Sequence, residues 1–147
     1  MKIKEWITPG IWIGLIFAIS SIPNSSIVRT YGVKNNILRF LLSDPVVHAV
    51  MFGVLSFLVG HGFRRSFVLL PGKRLILYTF CSTFLFALAV EVYQQLLVPE
   101  RALEMRDIVF NLVGIGAACG YFLVIFYKSS SMRPHSGKNL SETKQEK

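Results

Sequence analysis

Four long apolar segments are separated by more polar connections along the first 127 residues of the chain. Each segment is close to the roughly 20 residues that a helix needs to cross the hydrocarbon core of a membrane. The pattern therefore predicts an all-α fold, an integral membrane four-helix bundle. A signal peptide is the alternative for the first segment, because Lys2 and Lys4 precede a short apolar core that small residues follow. The predicted spans cover residues 7–23, 45–63, 75–98 and 108–127.

The composition agrees with a multi-pass membrane protein. Hydrophobic residues make up 52% of the 147 residues and charged residues only 16%, whereas soluble globular proteins average roughly 25% charged residues. Twelve Phe residues add more apolar surface than one small soluble core buries. Cys81 and Cys119 lie inside apolar segments without the spacing of a zinc site, so we expect two free thiols.

Basic residues are unevenly distributed between the two ends of the predicted spans. The net charge is +8, but the basic residues form short clusters rather than one basic face, so we expect no nucleic acid partner. With both termini in the cytoplasm, that side of the membrane holds eleven of the 16 Lys and Arg residues. Because basic residues near span ends prefer the cytoplasm, both termini are predicted to be cytoplasmic. Residues 1–127 then form the membrane domain, and the polar residues 128–147 form a disordered basic cytoplasmic tail.

Polar side chains interrupt three of the apolar segments, all in the half that this topology places away from the cytoplasm. A charged side chain at the centre of a spanning helix costs roughly 2.5 to 3.5 kcal/mol on insertion scales, so such residues usually face the bundle interior and pair with one another. His48 and Glu91 are the candidates for an acid and base pair. The predicted ligand-binding residues of this outer polar pocket are Asp44, His48, Glu91, Gln94, Arg101, Asp107 and Asn111.

A purely structural role is open for most of these residues. Asp44 and Asp107 begin their segments, where an acidic side chain caps free backbone amides and favours the positive end of the helix dipole. Gln94 and Asn111 would then form interhelical hydrogen bonds. Glu91 would be the buried partner of an arginine in the last loop.

Short motifs occur in order along the four segments: SSIP at 20–23, DPVVH at 44–48, EVYQ at 91–94, and DIVFN at 107–111 between Arg101 and Gly114. In their order and spacing they resemble the Ser-Ser-x-Pro, Asp-Lys-x-x-His, Glu-x-x-Gln and Arg…Asp-x-x-x-Asn-x-x-Gly motifs of the VanZ-like membrane proteins. The chain departs from that pattern at Pro45, where the family usually has lysine. Arg101 is then the nearest candidate cation for the pocket.

The resemblance implies a membrane protein of the bacterial cell envelope, related to proteins of which some reduce sensitivity to teicoplanin-type antibiotics. It implies no known reaction. Our leading hypothesis is that the pocket binds a lipid head group or a lipid-linked wall precursor. The alternatives are an intramembrane enzyme that uses Glu91 and His48 on a head group, with Ser20 or Ser21 as a nucleophile by proximity alone, and a small transporter.

Metal chemistry is a lesser alternative. His48, Glu91 and Asp107 are suitable ligand types, but there is no HExxH or comparable local motif, so we predict no metal and no cofactor. Membrane lipids are the expected partners. The sequence leaves open whether a reaction is catalysed and whether a homo-oligomer encloses the site.

Overall fold

Four α-helices make up almost all of the chain that the structure, a computed structural model, describes: residues 3–22, 43–99 and 104–131, with side chains to Tyr127. The predicted all-α fold is confirmed, and these ranges contain no strand. The predicted tail lies largely outside them, although the backbone of the last helix continues to Ser131. The helices are α1 (Lys4–Ser20), α2 (Asp44–Ser66), α3 (Gly72–Leu97) and α4 (Met105–Ser131).

Three of these helices are long and apolar enough to cross a membrane, namely Asp44–Ser66, Gly72–Leu97 and Met105–Tyr127. The first helix has 17 residues, or about 26 Å at 1.5 Å per residue, which is shorter than the roughly 30 Å hydrocarbon core. It still exposes the apolar side chains of Ile7, Ile11 and Leu15 along one face, as a surface in contact with lipid would. The side of the membrane that each terminus faces stays a prediction.

The ends of α2 follow from local sequence. Pro45 stands in the first turn, where its fixed φ suits a helix and its missing N–H would have had no intrahelical partner. Asp44 in the first turn and Arg64 and Arg65 in the last turn carry the charges that the helix dipole favours at those ends. The helix therefore extends beyond the predicted span 45–63, with Arg64, Arg65 and Ser66 added at its C-terminal end.

The helix α2 is central to the packing, because it contacts each of the other three helices. Its most extensive packing is against α4, and α1 makes no contact with α4 among the described residues. The helices run alternately up and down, and their core includes Ile16, Phe52, Leu55, Val90 and Ile115.

Glycine allows α2 and α4 to approach closely. A Cβ atom at Gly114 would overlap the carbonyl oxygen of Ala49, and one at Gly53 would lie 3.2 Å from the carbonyl oxygen of Gly114. Gly116 and Gly120, farther along α4, do not take part in this close approach, since a Cβ atom at either would meet no described atom within 4 Å. The α2–α4 crossing therefore depends on Gly53 and Gly114.

Candidate functional site

Four polar side chains from three helices meet at the end of the bundle where α2 and α4 begin and α3 ends. We call them the polar cluster: His48, Glu91, Asp107 and Asn111. All four are at most 6% exposed. The cluster is therefore a buried polar site inside an otherwise apolar bundle.

Glu91 is at the centre of the cluster. The side-chain amide of Asn111 donates a hydrogen bond of 3.2 Å to Glu91 Oε1, and His48 Nδ1 lies 3.5 Å from the same oxygen. One ligand-type atom from each of His48, Glu91 and Asp107 lies within 4.8 Å of the other two. One small ligand or ion could therefore contact the imidazole, the carboxylates and the amide together.

Two oxygen atoms of the cluster have unused acceptor capacity. Asp107 Oδ1 and Asn111 Oδ1 are buried and have no hydrogen-bond partner in the part of the chain that the structure describes. A buried polar atom without a partner costs about 1 to 3 kcal/mol. The cluster therefore favours a further donor or a cation.

The close α2–α4 crossing explains why these residues meet. Asp107 and Asn111 are four residues apart and share one face of α4, and Gly114 follows Asn111 by about one turn. Gly114 packs on Ala49, the residue after His48. The backbones are closest beside the cluster, so short side chains from both helices reach Glu91 on α3.

Gln94 is buried but is engaged elsewhere. Its side-chain amide donates a hydrogen bond of 3.3 Å to the carbonyl oxygen of Ser20, the last residue of α1. The hydroxyl of Ser21 is 2.9 Å from that of Tyr93 and also bonds to the carbonyl oxygen of Phe17. This end of α1 is thereby attached to α3.

Two further residues were predicted for the site, Asp44 and Arg101. Asp44 is half-buried at the first residue of α2. Arg101 lies outside the described residues. Arg106, in the first turn of α4, is exposed and pairs with Glu104 at 3.2 Å.

Buried hydroxyl groups were missed by the sequence analysis. The side chains of Ser56, Thr79 and Thr83 are at most 1% exposed, in the part of the bundle where we expected no polar residues. Thr79 donates to the carbonyl oxygen of Leu75 at 2.8 Å and Thr83 donates to that of Thr79, so both are satisfied within their own helix. The i, i+4 spacing of the threonines was the available signal.

The opposite end of the bundle carries an open groove of about 560 Å³, lined by Glu5, His61, Arg64, Arg65 and Val68. Arg65 forms an ion pair of 3.0 Å with Glu5 there and is largely exposed. The groove is far along α2 from His48, so it is separate from the polar cluster.

Comparison with known proteins finds a family match over most of the chain. The sequence profile of the VanZ/LLP1 family matches residues 6–128, which include nearly all of the four helices. No curated protein and no solved structure matches the chain. The profile covers more than half of the sequence, and all four residues of the cluster lie within the match. The chain belongs to the VanZ/LLP1 family of membrane proteins.

Proposed function

We propose that the protein is a cell-envelope membrane protein that binds the polar head group of a membrane lipid or a lipid-linked wall precursor at the polar cluster. Lower sensitivity to teicoplanin-type antibiotics would be a consequence of that binding. The observation that carries the proposal is the burial of His48, Glu91, Asp107 and Asn111 together at one end of an apolar bundle.

The depth and chemistry of the cluster support a head group as its ligand. The cluster lies within about two turns of the first residues of α2 and α4, near the level of head groups when these helices span the membrane. The unpartnered oxygens of Asp107 and Asn111 accept hydrogen bonds, so an amine or sugar hydroxyl suits them. Arg101 is the residue that we expect to bind a phosphate, through charge-assisted hydrogen bonds.

Native mass spectrometry of the detergent-purified protein tests the proposal. We expect a specific lipid adduct on the wild type that is lost in Glu91→Gln and in Arg101→Ala. Gln95→Ala is the control, because Gln95 is also a polar residue at this end of α3 but is exposed. An adduct of equal intensity in all variants would overturn binding at the cluster.

The antibiotic phenotype needs a separate test. Expression in a teicoplanin-sensitive Gram-positive host should raise the inhibitory concentration, and Glu91→Gln should remove the effect at equal protein level. An equal inhibitory concentration with the variant would show that the phenotype does not depend on the cluster.

An intramembrane enzyme is the second candidate function, favoured by the 3.5 Å separation of His48 Nδ1 and Glu91 Oε1. This distance suits proton exchange between an acid and a base that tighten around a substrate. Turnover of a labelled lipid by the wild type that disappears in Glu91→Gln would support catalysis. Binding without turnover would support the head-group proposal alone.

A further inference from the structure

We propose that His48, Glu91 and Asp107 bind one divalent transition-metal cation, with Asn111 Oδ1 as an additional ligand. The inference does not rest on head-group binding, since the cation would be held by the protein alone. It concerns the centre of the polar cluster, where three helices contribute one ligand each.

The distances suit a metal site. Two ligands of a tetrahedral zinc, each about 2.1 Å from the ion, are about 3.4 Å apart, and His48 Nδ1 lies 3.5 Å from Glu91 Oε1. The ligand-type atoms of His48, Glu91 and Asp107 all lie within 4.8 Å of one another. Small side-chain rotations would bring the third atom to coordination distance.

The charges of the cluster also suit a divalent cation. Glu91 and Asp107 are two carboxylates buried beside a single imidazole. If both are ionised, a protonated His48 leaves one negative charge among these three groups, whereas a divalent cation beside neutral His48 leaves none. Buried charges in proteins are normally paired or coordinate metals.

The unpartnered oxygens provide an independent observation. Asp107 Oδ1 and Asn111 Oδ1 are buried without a hydrogen-bond partner among the described residues. Asn111 already donates its amide N–H to Glu91, which fixes that side chain against the cluster and leaves its oxygen as an acceptor. Two buried lone-pair donors beside an imidazole and a second carboxylate are what a cation requires.

The ligand types narrow the choice of ion. Imidazole suits zinc, iron, nickel and copper, whereas carboxylate and carbonyl oxygens alone suit magnesium, calcium and manganese. One nitrogen with two or three oxygens favours a first-row transition metal, for which zinc and cobalt are practical probes. From the sequence, these three residues were suitable ligand types, but no metal was predicted because there is no local motif. The structure brings the three ligand atoms within 4.8 Å of one another from three different helices.

The competing explanation is a purely organic cluster in which the carboxylates are neutralised by Arg101 or stabilised by hydrogen bonds. In that case the full-length protein binds no metal at the site. Measuring the metal bound to the full-length protein therefore distinguishes the two explanations.

The experiment uses full-length protein with its affinity tag removed, purified in detergent without added lipid and treated with EDTA. The protein is loaded with Zn²⁺ or Co²⁺ and desalted. Bound metal is then measured by inductively coupled plasma mass spectrometry. We expect one metal ion per chain, a visible cobalt absorption band from nitrogen and oxygen ligands, and a higher melting temperature that EDTA reverses.

Variants assign the ligands. Asp107→Asn and Glu91→Gln keep the shape of the side chains and should weaken binding more than about 100-fold, because outer-shell partners alone change metal affinity 10- to 100-fold. His61→Gln is the control, since it removes a histidine from the same helix at the opposite end of the bundle. It should bind metal like the wild type.

Several results would overturn the proposal: no retained metal on wild-type protein, no cobalt band, equal binding by the cluster variants, or loss of binding in His61→Gln. If the variants do not fold, the wild-type stoichiometry and cobalt spectrum still decide. Lipid adducts are measured in parallel on the EDTA-treated protein, which separates the two proposals. Retained lipid without metal would show that head-group binding does not need the cation. Bound metal without any lipid adduct would support the metal site and contradict head-group binding.

Discussion

At the scale of single residues, Glu91 is the acceptor around which the polar cluster is arranged. It receives the amide of Asn111 at 3.2 Å and lies 3.5 Å from His48. Hydrogen bonds to charged groups contribute about 1.5 to 3 kcal/mol, more than a neutral interhelical hydrogen bond in a membrane protein, which averages about 0.6 kcal/mol. Each cluster residue therefore affects both the stability of the bundle and the properties of the site.

Asn111→Ala should lower the free energy of unfolding by about 1 to 3 kcal/mol, because it removes a buried donor to Glu91. Gln95→Ala, at an exposed amide, should stay within about 0.5 kcal/mol of the wild type. Equilibrium unfolding in mixed detergent measures both. Equal stability of Asn111→Ala and the wild type would contradict the hydrogen bond.

Trp12→Phe should cost about 0.5 to 1.5 kcal/mol, because the indole N–H of Trp12 donates to the carbonyl oxygen of Met51 at 2.9 Å. The same unfolding assay checks it. Tyr121→Phe is a suitable control, since Tyr121 is exposed on α4. A loss that is no larger than that of the control would show that the indole bond adds nothing to the attachment of α1.

At the scale of elements, the α2–α4 pair determines the geometry of the site. Gly114 packs directly on Ala49 and Gly53, so the backbones of the two helices meet beside His48 and Asn111. The hydrophobic effect does not drive helices together in lipid. Small residues at such crossings instead allow close van der Waals packing between the helices.

Gly114→Ala and Gly116→Ala form a matched pair on one helix. The first places a methyl group against the Ala49 carbonyl and should destabilise the protein by about 1 to 3 kcal/mol, the usual cost of overpacking. The second adds a methyl group in open space and should be neutral or slightly stabilising. Similar effects of both substitutions on the unfolding free energy would contradict the described crossing.

Much of the fold and part of the cluster followed from the sequence. Segment length and hydropathy predicted all four helices, and the i, i+4 spacing of Asp107 and Asn111 predicted a shared face. The pattern did not identify which glycines meet a neighbour, because Gly114, Gly116 and Gly120 look alike until the helix rotation is known. Nor did it predict that Gln94 would bond to the end of α1, since that contact depends on tertiary packing. Arg101 stays a prediction.

At the scale of the whole molecule, orientation and packing determine what can reach the cluster. The three longest helices are apolar enough to cross a membrane, and apolar side chains are exposed along all four helices. The predicted topology places the cluster on the side of the membrane away from the cytoplasm. Binding of outer-leaflet lipids and an antibiotic-related role both require that orientation.

A C-terminal fusion tests the orientation. With both termini cytoplasmic, a C-terminal fluorescent protein should fluoresce in bacterial cells, and a C-terminal alkaline phosphatase should be inactive. A phosphatase fused within residues 24–42 should be active. The reverse pattern would place the cluster on the cytoplasmic side and exclude a role in binding outer-leaflet lipids.

Helix α1 lies at the periphery of the bundle, and its position affects how a ligand could reach the cluster. This helix packs mainly on α2, makes little contact with α3 and none with α4 among the described residues, and its last residue accepts the Gln94 amide. Its displacement would disturb neither the glycine crossing nor the metal ligands that we propose. The end of α1 beside the cluster is held to α3 by the hydrogen bonds of Gln94 and Ser21. A lipid bound at the cluster, as we propose, could therefore enter from the bilayer between α1 and α3 only if these bonds break.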